Sequence, residues 1–198
     1  FEDGEYILGA PEFVLKDKFE EYKDLVENYS KKGYRVLSFA VKKEDIISPV
    51  LFIVLSNAIR KGAVKTFRYF ADQGVKIKVI SGDNPQTVSE TARLAGIEDY
   101  DKYIDASLLD TKEEVEKAAL KYTVFGRVTP KQKQIIVNAL QNSGRTVAMT
   151  GDGVNDILAM KDADCAIAMA SGSEAVSQAA QVVLLDSDFS KMPGVVLE

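Results

Sequence analysis

Short apolar runs alternate with longer amphipathic stretches along this chain of 198 residues. Apolar runs that are too short for a helix are typical of buried strands, whereas apolar residues at every third or fourth position are typical of helices. The predicted strands are 6–8, 34–41, 50–55, 76–80, 104–106, 122–128, 147–149, 165–169 and 181–188. The predicted helices are 12–29, 63–71, 86–94, 111–121, 130–140, 157–160 and 171–180. This pattern predicts an α/β fold with a parallel sheet.

The chain breaks sharply after the predicted strand 147–149, at Gly151, Asp152 and Gly153. Asp156 follows, where the next helix is predicted to begin. Ligands of open α/β sheets bind outside the carboxyl ends of the strands. Two carboxylates without competing sulfur or imidazole suit Mg²⁺, which takes one or two carboxylates together with waters and phosphate oxygens. The alternative is that Asp156 only caps the helix while Gly-Asp-Gly forms a turn.

A second polar loop follows the predicted strand 76–80 and consists of Ser81, Gly82, Asp83 and Asn84. A hydroxyl, free backbone N–H groups and the start of a helix together bind phosphate. The alternative is that Ser81 or Asp83 only caps the following helix.

Two basic residues are candidates for contacts with phosphate. Lys133 lies near the start of the predicted helix 130–140, where a lysine can neutralise a transferring phosphoryl group as a positioned charge. By itself, a lysine at this position is a solvent-exposed side chain. Arg35 lies in the predicted strand 34–41 and, by itself, is a surface arginine.

Composition narrows the classes of function. A net charge of -5 and the lack of a long basic run argue against a nucleic-acid partner. The chain has no histidine, so imidazole catalysis is excluded, and its single cysteine, Cys165, excludes an internal disulfide and suits a reducing compartment. The longest apolar run, 50–55, is far shorter than the roughly 20 residues of a membrane helix. Because the chain begins at Phe1 without a methionine, we expect it to be a piece of a longer protein.

Four stretches resemble conserved blocks of a known family. TGDGVND at 150–156 closely resembles the last block of the P-type ATPases, the ion pumps of the haloacid dehalogenase superfamily. LGAPEFVL at 8–15 resembles their KGAPE block, with a leucine in place of the usual lysine. SGDN at 81–84 resembles their TGD block, and FGRVTPKQK at 125–133 resembles their arginine-and-lysine block.

The resemblance implies a haloacid dehalogenase-like parallel sheet flanked by helices. It implies that 1–48 is the end of the nucleotide-binding domain and that 49–198 is the phosphorylation domain, with ATP as substrate and Mg²⁺ as cofactor. Asp152 and Asp156 are implied as the metal ligands and, with Lys133, as the catalytic residues. Binding of the nucleotide and its phosphates is implied for Gly9, Arg35, Ser81, Gly82, Asp83, Arg127, Lys133 and Asn155.

The sequence departs from the family pattern at three places. Pumps of this family phosphorylate an aspartate in a DKTGT block, and this chain contains none. We therefore expect the nucleophile and its central strand to precede Phe1, and the chain alone to be inactive. Leu8 replaces the lysine near the adenine, and only half of a nucleotide domain is present, which together predict ATP binding of about millimolar affinity or poorer, worth roughly 4 kcal/mol. The segment 57–60, at the family's hinge between domains, keeps only the arginine.

The expected function is that of a cytoplasmic segment of a pump in the cell membrane. The pump couples ATP hydrolysis, through an aspartyl phosphate, to the transport of a cation, for which we expect calcium. The partners implied are ATP, the cation and the rest of the pump, including its actuator and membrane domains. There are two alternative functions. The chain is a soluble Mg²⁺-dependent phosphatase of the same superfamily, or it is an inactive module that binds Mg²⁺ or nucleotide.

Overall fold

The computed structural model describes residues 4–56 and 58–197 and divides into two compact units, Phe1–Ala58 and Ile59–Glu198. The resemblance implies a boundary between the two functional domains after residue 48, and this remains a prediction. Residues 46–56, which include the predicted strand 50–55, pair with residues 34–43 and so belong to the first compact unit. Within the predicted hinge segment, Asn57 lies outside the described residues.

The first unit is an antiparallel sheet of three strands, in the order β1-β2-β3, covered on one face by helices. Val14 and Leu15, from the covering helix, pack with Ala40 in its core. The strands are β1 (Glu5–Gly9), β2 (Tyr34–Lys43) and β3 (Ile46–Ser56). The helical segments are α1 (Pro11–Leu15), a 3₁₀ helix (Lys16–Tyr22) and α2 (Lys23–Ser30).

The single helix predicted over 12–29 is wrong. Lys16 has a φ of +49°, which an α-helix cannot contain, and the α-helix therefore ends at Leu15. A helical period in the sequence does not reveal such a break, because the apolar positions on both sides of it still face the sheet.

The second unit alternates strands and helices, and all of its strand pairs are parallel. This confirms the predicted α/β class. The strands are β4 (Val79–Ile80), β5 (Tyr103–Asp105), β6 (Val124–Gly126), β7 (Ala148–Gly151), β8 (Cys165–Met169) and β9 (Val182–Leu184). The helices are α3 (Ala63–Asp72), α4 (Pro85–Leu94), α5 (Lys112–Lys121), α6 (Pro130–Asn142), α7 (Ile157–Asp162), α8 (Glu174–Ala179) and α9 (Met192–Leu197).

The described strands of the second unit form two sheets rather than one. One has the order β4-β6-β5 and the other β7-β8-β9. Helix α6 begins with Thr129 in a capping box and with proline at its first turn, and it buries Ile136 and Val137 completely. These side chains belong to one apolar cluster with Phe125 of β6 and Met149 of β7. The two sheets therefore share one core.

The ammonium group of Lys78 is partly buried at the amino end of β4. Its Nζ donates a hydrogen bond of 2.5 Å to the backbone oxygen of Tyr122, which precedes β6. Burial, together with the positive charges of Arg145 and Lys76, lowers the pKa of Lys78 to about 8.

The lowered pKa of Lys78 predicts that stability rises between pH 8 and pH 10. The folded chain releases this proton near pH 8, whereas the unfolded chain keeps it up to the ordinary value of 10.5, so higher pH favours the folded state over this interval. Urea unfolding followed by circular dichroism at pH 7 to 10 should show the rise in the wild type. Lys78→Met should flatten it and Lys76→Met should retain it; equal slopes in all three proteins would contradict the pKa.

Candidate active site

A cleft of about 350 Å³ lies at the carboxyl ends of β4 and β7. This is the edge at which parallel α/β folds bind their ligands. The predicted catalytic residues and part of the predicted phosphate loop meet there. The residues that line it are Ile80, Ser81, Gly82, Lys133, Met149, Thr150, Gly151, Asp152, Asp156 and Met169.

Asp156 is buried at the end of the loop that follows β7, with 7% of its surface exposed. Its Oδ2 accepts a hydrogen bond of 3.3 Å from the backbone N–H of Gly153, so it reaches back over the turn Val154–Asp156. Its side chain also lies against the end of the strand, since a Cβ on Gly151 would be 2.7 Å from the Cβ of Asp156. The side chain therefore closes the turn that follows β7 and makes no capping hydrogen bond to helix α7, so the predicted cap of that helix is not formed.

Lys133 contacts Asp156 directly. Its Nζ lies 2.6 Å from Oδ1 of Asp156, and the two side chains are only 12% and 10% exposed. The resemblance implies Lys133 as a catalytic residue and Asp156 as a metal ligand, and both roles remain predictions. Oδ1 of Asp156 accepts a hydrogen bond from Lys133, and Oδ2 accepts one from the Gly153 N–H. Both carboxylate oxygens therefore have protein partners. This carboxylate is therefore placed to orient Lys133 and the loop.

Asp152 is the acid of this loop that is open to a ligand. It is exposed, and no partner for its carboxylate occurs among residues 4–56 and 58–197. Within that part of the chain, no three His, Cys, Asp or Glu side chains converge on a metal position. One free carboxylate beside hydroxyl and backbone oxygens fits Mg²⁺, which keeps several waters and takes phosphate oxygens as its remaining ligands.

Ser81 and Gly82, which follow β4, line the cleft with a hydroxyl group and with exposed backbone. The Ser81 hydroxyl oxygen accepts a hydrogen bond of 3.1 Å from the Asp83 N–H. Helix α4 is capped by Asn84, whose Oδ1 accepts from the Gln86 N–H at 2.9 Å. The cap is thus neither Ser81 nor Asp83, and Ser81 remains available at the mouth of the cleft.

Arg127 makes an ion pair away from the cleft lining. It has a φ of +51°, and its guanidinium lies 2.6 Å from a carboxylate oxygen of Asp105 at the end of β5. Burial alone would raise the pKa of Asp105, but hydrogen bonds from Ser107 and the pairing with Arg127 lower it. The backbone N–H of Arg127 donates to the oxygen of Asp83 at 2.8 Å. Arg127 and Asp83 therefore join the loops after β4 and β6.

The remaining predicted residues lie elsewhere. Asn155 is exposed and is not among the residues that line the cleft. Gly9 ends β1 in the first unit, and Arg35 lies on β2. Arg35 and Leu8 share the sheet face opposite the helices, as their cross-strand registers show. Thr150 lines the cleft but was not singled out; its hydroxyl at the strand end was the available signal.

The family model of the haloacid dehalogenase-like hydrolases matches residues 4–164, which is most of the chain. The chain belongs to this family. As predicted for that superfamily, this hydrolase has its polar loops at the carboxyl ends of parallel strands.

This haloacid dehalogenase-like hydrolase is also similar to proteins named as ion-transporting ATPases. It is 42% identical to the probable cation-transporting ATPase exp7 of Streptococcus pneumoniae, over 98% of the chain and 26% of that protein. It is 44% identical to the calcium-transporting ATPase CtpE of Mycobacterium tuberculosis, over 98% of the chain and 25% of that protein. It is 37% identical to the human calcium-transporting ATPase type 2C member 2, over 84% of the chain and 18% of that protein. The chain thus spans about a quarter of the first two. Across the described residues, no helix has the length and apolar character to cross a membrane.

The buried pair of Lys133 and Asp156 predicts that substitutions of these two residues change the stability of this hydrolase non-additively. Lys133→Met should lower the free energy of unfolding by roughly 3 kcal/mol, because a buried carboxylate loses its partner. Adding Asp156→Asn to it should recover part of the loss, since the asparagine carries no charge. Lys131→Met, an exposed neighbour on α6, is the matched control and should have little effect. Additive losses from the two substitutions in urea unfolding would contradict the coupling.

Gly126, at the end of β6, lies so close to Pro85, at the start of α4, that we predict only glycine fits there. A Cβ on Gly126 would be 2.4 Å from Cα of Pro85, which is backbone and cannot move aside easily. Gly126→Ala should therefore cost about 3 kcal/mol of stability. Gly82→Ala is the matched control, because no atom lies within 4 Å of its added Cβ. Thermal unfolding that shows equal midpoints for the two variants would contradict the contact.

Proposed function

We propose that this chain is the cytoplasmic catalytic segment of a P-type cation-transporting ATPase. The observation that carries the proposal is the cleft in which the Lys133–Asp156 pair and the free carboxylate of Asp152 face the Ser81 loop. The names of the relatives support the same class. In this proposal the whole protein is a membrane pump, and its partners are ATP, a transported cation and the rest of the pump.

The proposed reaction moves the γ-phosphoryl group of ATP onto an aspartate. A carboxylate oxygen of that aspartate forms the new bond to phosphorus, the bond from phosphorus to the bridging oxygen breaks, and ADP leaves. The Ser81 hydroxyl and the Gly82 N–H hold the phosphoryl oxygens, and Lys133 offsets their charge in the transition state. Asp152 would hold Mg²⁺, which neutralises charge on the phosphates when it is bound. Asp156 keeps Lys133 in position and would support Asp152 in holding Mg²⁺.

The nucleophile itself comes from another part of the longer protein in this proposal. This sequence has no DKTGT block, and the edges of β4 and β7 flank the cleft without pairing to each other among the described strands. In this proposal a strand that carries the aspartate lies between these edges, with its carboxyl end at the cleft. The chain alone would then bind Mg²⁺ weakly and form no phosphoenzyme.

In this proposal residues 1–48 are the end of the nucleotide-binding domain, and residues 49–198 are the phosphorylation domain. Gly9 and Arg35 would contact the nucleotide, and the position of Arg35 on the face opposite the helices leaves room for it. Arg127, Asp83 and Asn155 would act near the phosphates, the first two by shaping the loops after β4 and β6. For the transported cation we propose calcium, which two of the relatives' names contain.

Labelling with γ-³²P ATP followed by acid quench tests the proposal. The full-length protein should form an acid-stable, Mg²⁺-dependent phosphoenzyme, whereas the 198-residue chain should form none. Asp152→Asn in the full-length protein should lower labelling at least 100-fold, because it removes the charge that holds Mg²⁺ while keeping the shape of the side chain.

Asp72→Asn is the matched control, since Asp72 is exposed at the end of α3, and it should leave labelling unchanged. Normal labelling of the Asp152→Asn protein would overturn the site assignment. Release of phosphate from a small phosphomonoester by the 198-residue chain alone would favour a soluble phosphatase instead.

A further inference from the structure

The loop between β8 and α8 lies directly against the backbone of Asp152. The backbone N–H of Ser173 donates a hydrogen bond of 3.1 Å to the oxygen of Asp152. Beside it, a Cβ on Gly172 would be 2.4 Å from that same oxygen and 2.9 Å from Cα of Asp152. Real Cβ contacts are not found at such distances, so only glycine permits this approach.

Each backbone N–H of this loop has a defined acceptor. Ala170 donates to the oxygen of Leu184 at 3.0 Å, and Ser171 donates to Oγ of Ser187 at 2.8 Å. Gly172 donates to the oxygen of Met169 at 2.9 Å, and Ser173 donates to Asp152 as described. A loop whose four consecutive N–H groups are all bonded has little freedom to move by itself. It therefore fixes Asp152 relative to β9.

Ser187 connects this loop to the start of the second unit. It has a φ of +55°, a conformation that costs a non-glycine residue free energy. Three contacts hold it there: its N–H donates to Leu184, its Oγ accepts from Ser171, and its backbone oxygen accepts from Nη1 of Arg60. Strain of this kind persists only where surrounding contacts determine it.

We propose that Gly172 is a positioning residue for Asp152, and that Ser187, held by Arg60, keeps Gly172 in place. The inference rests on the proposed function, because it takes Asp152 as the residue that holds Mg²⁺. A metal ligand on a turn needs a fixed backbone, and Asp152 lies between two glycines, which lack the side chains that restrict the backbone of other residues. The close approach of Gly172 supplies that constraint from outside the turn. Any side chain at residue 172 would displace the Asp152 backbone and move its carboxylate.

The test measures the Mg²⁺ concentration that gives half-maximal phosphoenzyme in the full-length protein. Gly172→Ala should raise this concentration about 10- to 100-fold, the usual cost of disturbing residues that orient a metal ligand. Maximal labelling should return at saturating Mg²⁺, and the half-maximal ATP concentration should stay unchanged. Gly194→Ala is the matched control, because its added Cβ meets no atom within 4 Å, and it should match the wild type.

Ser187→Ala serves as a milder second variant if Gly172→Ala does not fold. It removes only the acceptor of the Ser171 N–H, and it should raise the half-maximal Mg²⁺ concentration about threefold. A purely structural role would lower the amount of folded protein and maximal labelling with no change in that concentration, and this result would overturn the inference. An absence of Mg²⁺-dependent labelling in the wild type would instead overturn the proposed function.

Discussion

The candidate site depends on the ion pair between Lys133 and Asp156. Removing two charges from water is costly, and only close approach and additional hydrogen bonds offset that cost. The separation of 2.6 Å and the Gly153 N–H on the second oxygen of Asp156 provide both. Because the pair joins α6 to the turn after β7, it fixes the lysine's charge at the cleft wall before any ligand is present. Catalytic groups that stabilise charge are most effective when they are oriented in advance in this way.

Polar side chains of α6 hold the helix against both halves of the second unit. Gln134 and Asn138 donate to the same carboxylate oxygen of Asp162, at 2.9 Å and 2.8 Å, on the side of β7. On the side of β5, Gln132 donates at 2.7 Å to the oxygen of Ala106. Apolar contacts alone would let the helix slide or rotate, whereas these directional bonds select one position. These bonds, made by residues on both sides of Lys133 along the helix, therefore fix the position of the lysine.

The sequence identified the loops containing Ser81 and Asp152 one at a time, because each follows a short apolar strand; that both line one cleft depends on how the two sheets pack. It did not predict that Arg127 would pair with Asp105, since that contact depends on a positive φ and on the neighbouring strand. Nor did it predict the helix break at Lys16, which leaves the apolar period unchanged. Local patterns predict elements, whereas side-chain partners depend on tertiary contacts that the period of the sequence does not encode.

The separation of the second unit into two sheets has a mechanical consequence. Within each sheet, backbone hydrogen bonds hold the strands, but among the described strands none joins β4 to β7. A change in the spacing of the two cleft walls, at Ile80 and Met149, therefore breaks no bond of a strand ladder and is absorbed by side-chain packing around α6. Packed layers accommodate such changes by small sliding motions. In the proposed pump, a strand that carries the nucleophile would pair with both edges and would itself set the distance between the two walls.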